Sequence, residues 1–97
     1  MTNVEMYSST IYDQNKAPCH VEIESWTTWS ECCESWKRTY TVRGEISEIT
    51  PQSLVNQIAD TELRSWYCGQ RYRFPARVLF VCNNRAVIEQ HGGGWGW

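Results

Sequence analysis

Long apolar runs are what this chain most plainly lacks. No stretch approaches the ~18–20 consecutive apolar residues that a membrane-spanning helix needs, so no transmembrane segment is expected. Surplus positive charge is missing too. The formal net charge is -2, which argues against a general nucleic-acid binder. Histidine occurs only at His20 and His91, and no two cysteines stand in a C-x2-C knuckle, so a zinc site is not expected. Gly92-Gly93-Gly94 is not followed by Lys-Ser/Thr and opens no helix, which excludes a phosphate loop. A catalytic set is absent as well. Glu22, Glu24, Glu31 and Glu34 read as a solvated face rather than an acid/base pair. Cys19 and His20 are sequence neighbours, which gives no attack geometry. The expectation is a non-enzyme without cofactor or metal.

What the chain has instead is rings and thiols: six Trp, five Tyr, two Phe and five Cys in 97 residues. The densest stretch is Trp26 to Arg43, where three tryptophans, a tyrosine, two adjacent cysteines and two arginines fall together. Indoles are costly to leave in water, and guanidinium stacks on their faces. A chain this short makes one small domain, and its interior cannot enclose six indoles fully. Some rings are therefore expected at a surface that meets something else. Cysteines at this frequency suggest disulfides in an oxidising compartment, hence a secreted or extracellular protein. Buried reduced thiols in a cytosolic protein are the alternative. Disulfide candidates are Cys19, Cys32, Cys33, Cys68 and Cys82. The odd fifth thiol would stay free or join another chain, as in a homodimer. The first ten residues are polar and form no signal peptide, so a secreted protein would be seen here in its mature form.

The two halves differ in charge. Residues 1–50 hold eight acids and four bases, whereas residues 51–97 hold three acids and five arginines without lysine. An all-arginine basic face suits sulfate, carboxylate or phosphate recognition, and ordinary surface charge is the plainer reading.

In chain order, residues 1–18 read as an N-terminal arm or edge strand, 19–91 as the globular domain and 92–97 as a Gly/Trp tail. Residues 19–30 and 37–43 carry β-type patterns, with Arg38, Tyr40 and Val42 sharing one side. Thr50 can cap a helix, Pro51 suits its first position, and apolar residues recur at three and four as far as Trp66. Its other side (Gln52, Asn56, Gln57, Asp60) reads as solvent-facing. Residues 77–82 and 85–89 read as a hairpin turning at Asn83-Asn84. The expected fold class is α+β: a small disulfide-stabilised antiparallel sheet with one helix at about 51–66.

The order of motifs resembles a divergent thrombospondin type 1 repeat. Trp26-x-x-Trp29-Ser30-x-Cys32 fits that family's opening motif, Arg38 to Val42 stands where its arginine strand would be, and Cys68-Gly69 and Cys82-Asn83 resemble its later elements. Trp36 stands where the family has its second cysteine, and Tyr40 replaces a strand arginine. The resemblance covers residues 26–83. It implies, as the alternative fold, a mainly-β, elongated, three-stranded module in which Trp26, Trp29 and Arg38 stack. It further implies a Cys32–Cys82 bridge, Trp26 as a C-mannosylation acceptor, and roles in adhesion or glycosaminoglycan binding.

Aromatics beside arginine and asparagine suit sugar recognition, because a ring stacks on the apolar face of a pyranose while polar groups bond its hydroxyls. The ligand-binding candidates are Trp36, Trp66, Arg71, Tyr72, Arg73, Asn83, Asn84, Arg85, Trp95 and Trp97. The expected function is a non-catalytic lectin-like or adhesion module whose partner is a glycan or glycoprotein. The alternatives are a structural or protein-binding module with aromatics at a subunit interface, and a small secreted toxin or inhibitor.

Overall fold

A computed structural model describes residues 2–30, 35–59, 62–64 and 71–93. These form seven strands and one helix: β1 (Thr2–Tyr12), β2 (Pro18–Ser30), β3 (Ser35–Gly44), α1 (Pro51–Ile58), β4 (Glu62–Arg64), β5 (Arg71–Arg73), β6 (Ala76–Cys82) and β7 (Arg85–Gly93). Five strands make one antiparallel sheet in the order β1-β2-β3-β7-β6, and β4 and β5 make a separate two-stranded ribbon.

This corrects both expected folds. The three-stranded elongated module is replaced by a five-stranded sheet. The helix ends at Ile58 rather than near residue 66. Thr50 does cap it, its hydroxyl accepting the Ser53 amide, and Pro51 takes the first turn. Beyond Ala59 the helical spacing of apolar residues continues in the sequence, but Glu62, Leu63 and Arg64 instead face Arg73, Tyr72 and Arg71 across a β ladder. Tertiary pairing overrides local periodicity there. No disulfide staples the described residues either. Cys19 and Cys82 carry free thiols, so the Cys32–Cys82 bridge is not formed, while Cys32, Cys33 and Cys68 lie outside the described residues.

Strand alternation gives the sheet two unlike faces. The inner face carries Ile11 of β1, Val21 and Ile23 of β2, Val42 of β3 and Ala86 and Ile88 of β7, all buried. The segment after β3 adds Ile46 and Ile49, and α1 adds Leu54, Val55 and Ala59, closing one contiguous core. Packing of aliphatic side chains, without a disulfide among the described residues, forms this core. Gly44, at φ 155, lets β3 leave the sheet close against His20 and Val21, where a Cβ would collide. Gln57 clamps α1 to the end of β1: its Oε1 accepts the Tyr12 amide and its Nε2 donates to the Tyr12 carbonyl, both at 2.8 Å. Gln57 is exposed, as its place on the polar side of the helix suggests, and it also ties α1 to β1. No helix among the described residues is long and apolar enough to cross a membrane.

The outer face is uncovered by any described element and mostly polar. Ser8 donates to Glu22, Thr10 bonds His20, and Glu89 is ringed by Lys37, Arg77 and His91. Exposed apolar residues also gather at the two edge strands, with Val4 and Met6 on this face of β1 and Leu79, Phe80 and Val81 along β6. A bulge between Val78 and Phe80 lets Leu79 stand outside the pairing.

Candidate functional site

Two concavities lie toward the end of the sheet remote from the β6–β7 turn, and the dense aromatic stretch supplies both. The first is an open cleft of about 510 Å³ lined by Trp26, Thr28, Trp29, Ser35, Trp36, Lys37, His91 and Gly92. Register explains the gathering: Trp29 faces Trp36, Thr28 faces Lys37, Lys37 faces His91 and Trp36 faces Gly92 across β2, β3 and β7. Trp26 and Trp29 are half-buried and leave β2 on opposite faces, and both residues contribute to the cleft's lining.

Trp36 does something else. It is only 4% exposed, it packs against Phe74 with ring centroids 5.5 Å apart, and its ring lies flat over Gly92. A Cβ at residue 92 would sit inside the indole, which is why a glycine stands there within a strand. Trp36 is thus a wall of the cleft, not the exposed stacking ring expected from the sequence. The stacking of Arg38 also has a different partner from the one the family resemblance implies: its guanidinium carbon lies 5.4 Å from the Trp36 ring centroid.

At the rim, His91 Nε2 meets Glu89 Oε1 at 2.7 Å, and Lys37 Nζ meets Glu89 Oε2 at 3.4 Å. A carboxylate can only accept, so Nε2 must donate, and Nδ1 is the ring's remaining polar atom. The His91 hydrogen bond, with the Lys37 charge behind it, holds the Glu89 carboxyl below its usual range. The cleft therefore combines two half-open indoles with hydroxyls, an ammonium and a positioned imidazole.

The second concavity, of about 400 Å³, lies on the inner face beside the C-terminal end of α1 and is lined by Glu5, Tyr7, Ser25, Thr27, Arg38, Tyr40 and Ile58. Arg38 Nε donates to Thr27 Oγ1 at 3.0 Å, and its Nη1 reaches Tyr40 Oη at 3.5 Å. The Tyr40 hydroxyl donates to Gln90 Oε1, and Gln90 Nε2 donates to the Phe74 carbonyl at 2.8 Å. Desolvation raises the Tyr7 phenol above its usual value, with smaller contributions from Tyr40 and the Glu5 charge, and Arg38 opposes them.

The other expected site residues scatter. Asn83, Asn84 and Arg85 are exposed at the opposite end of the sheet, with Arg85 5.9 Å over the Phe80 ring and the Asn84 carbonyl accepting the Gly44 amide. Arg71, Tyr72 and Arg73 lie in β5, away from the five-stranded sheet's ladder, and their side chains are outside the description. Trp66, Trp95 and Trp97 lie outside the described residues. Cys19 donates its thiol to the Glu45 carbonyl at 2.7 Å, and burial and the Glu45 charge raise it above the usual thiol value. Its side chain is half-buried and packs against the hydrophobic core.

No family model, curated protein or solved structure matches this chain.

Proposed function

We propose that this domain is a non-catalytic recognition module that binds carbohydrate in the Trp26–Trp29 cleft, in an extracellular setting. The observation that carries the reading is the pair of half-buried indoles sharing one open cleft with Thr28, Ser35, Lys37 and His91. An indole face takes the C–H side of a pyranose, hydroxyls and the imidazole Nδ1 pair with sugar hydroxyls, and Lys37 favours an acidic sugar or sulfate. The extracellular setting rests on cysteine frequency alone, since the Cys19 and Cys82 thiols are free and add no support.

A glycan array followed by calorimetry tests the reading. Trp26→Ala, an outer-face change away from the core, should keep the circular dichroism spectrum and weaken sugar binding at least tenfold. Undiminished binding by a folded Trp26→Ala protein overturns this site. A different outcome would favour a subunit interface: Trp26 faces Val4 in the ladder and Met6 follows on the same strand face, 75% exposed. If no glycan binds and Trp26→Ala lowers the sedimentation coefficient, the rings serve contact between copies.

A further inference from the structure

The inner-face cavity is polar where a merely structural sheet face would be apolar. Running along β2, β3 and β7 from the core, Ile23, Val42 and Ala86 give way to Ser25, Thr27, Arg38 and Gln90. Arg38 is held from three sides: its guanidinium carbon lies over the Trp36 ring, its Nε is fixed by Thr27, and its Nη1 reaches a Tyr40 hydroxyl that Gln90 anchors in turn. Its Nη2 has no partner among the described residues, and neither does the Glu5 carboxylate across the cavity. A partly buried guanidinium with a free donor edge toward the described residues favours an anionic partner.

The two charges also stand apart. Glu5 faces Ser25 and Ser25 faces Tyr40, whereas Arg38 faces Thr27, so the pair are two strands and one inward position removed from each other. Two strand spacings are about 10 Å. They form no ion pair with each other among the described residues. The cavity they share is also lined by Tyr7, Ser25 and the apolar Ile58.

We infer that this cavity binds a small linear zwitterion, its carboxylate on the Arg38 fork and its ammonium on Glu5, with the intervening carbon chain against Ile58 and the Tyr7 ring. The volume of about 400 Å³ lies within the range of ligand pockets. The charges being separated, a chain with amine and carboxylate at opposite ends fits better than an α-amino acid. That the Tyr7 phenol responds to both Glu5 and Arg38 places it within the field of each. The site is separate from the glycan cleft and does not depend on it.

The test uses 6-aminohexanoate, hexanoate and hexylamine as probes, titrated into ¹⁵N-labelled protein and followed by amide and Arg38 Nε–H shifts. The expected result is that 6-aminohexanoate moves Ser25, Thr27 and Arg38 and binds at least tenfold more tightly than either single-charge probe. Glu5→Gln, an exposed change, should reduce its affinity about tenfold, to that of hexanoate, and Arg38→Gln should remove binding of both acids. Equal affinity for all three probes, no shift with any of them, or an unchanged affinity in Glu5→Gln overturns the inference. Should Arg38→Gln fail to fold, Glu5→Gln decides alone. Trp26→Ala should leave the titration unchanged, which separates failure here from failure of the glycan reading.

Discussion

The inner face of the sheet holds two regions built from the same strands and opposed in chemistry. Under α1 it is aliphatic and closed, with Val42, Leu54, Ala86 and Ile88 at 0% exposure. A few residues further along β2 and β3 it is hydroxylic and charged, with a cavity in place of a core. Strand pairing is continuous through both, so backbone hydrogen bonding cannot account for the difference. What changes is the covering layer: the helix stops at Ile58, and the sheet's side chains change character where it stops. Folding needs the first region and does not explain the second.

The sharpest way to break this contrast is to make matched truncations in each region. Leu54→Ala removes a fully buried side chain from the closed half and should cost about 3 kcal/mol, since neighbours refill such voids only partly. Ser25→Ala in the open half should cost under about 0.5 kcal/mol, because its Cβ stays and no described bond is lost. Urea melts of the two variants check the pair, and equal losses would show that the regions are not distinct. Gln90→Leu probes the seam between them. Gln90 is 0% exposed and links the Tyr40 hydroxyl to the Phe74 carbonyl. Leucine leaves that carbonyl without this donor, at a cost of about 2 kcal/mol by the usual penalty for an orphaned buried group. The same variant should loosen Arg38, read as faster exchange of its Nε–H.

How much of this was legible from residues alone also divides along the two regions. The closed half was largely readable, because it obeys periodicity: the Val21/Ile23 alternation, the inward side of β3 that carries Val42, the Thr50-Pro51 helix start and the Asn83-Asn84 turn are local signals. Three features escaped. The helix end did, because apolar spacing at Leu63 suits both a helix and the ladder it joins with Tyr72. The full length of β1 did, because only pairing with β2 across all eleven residues makes a strand of so polar a segment. The surroundings of the two described thiols did, because cysteine frequency says nothing about partners: Cys19 packs against the Glu45 carbonyl, and Cys82 is exposed at a hairpin tip.

Site residues were harder still. Arginine beside tryptophan was visible, but which ring takes it depends on register, and register puts Trp36 against Gly92 and under Phe74. The glycine at residue 92 was the available signal: in a strand it marks close approach, here by an indole from the neighbouring strand. His91 could not have been read as a cleft residue, since its partners Lys37 and Glu89 meet it only through the β3–β7 ladder.

The outer face offers the smallest test, and it turns on acid. Glu89 is held below the ordinary carboxylate value of 4.5, first by the His91 hydrogen bond and then by Lys37, with burial opposing both. A carboxyl depressed in the folded state stabilises that state above its unfolded value, and the contribution is lost as pH falls through the folded value. Thermal stability should therefore be flat from neutral pH down to about 4.5 as far as Glu89 is concerned, then decline below it. Glu89→Gln removes the charge but keeps a shape able to accept one hydrogen bond, so its acid decline should be shallower than that of the unchanged chain. The difference between the two melting curves should shrink toward zero at the lowest pH, where both side chains are neutral. Because His91 and Lys37 also line the cleft proposed to bind glycan, the same variant should loosen the cleft's rim without touching the inner cavity. A weaker sugar response together with unchanged 6-aminohexanoate binding in Glu89→Gln would show that the two faces act independently.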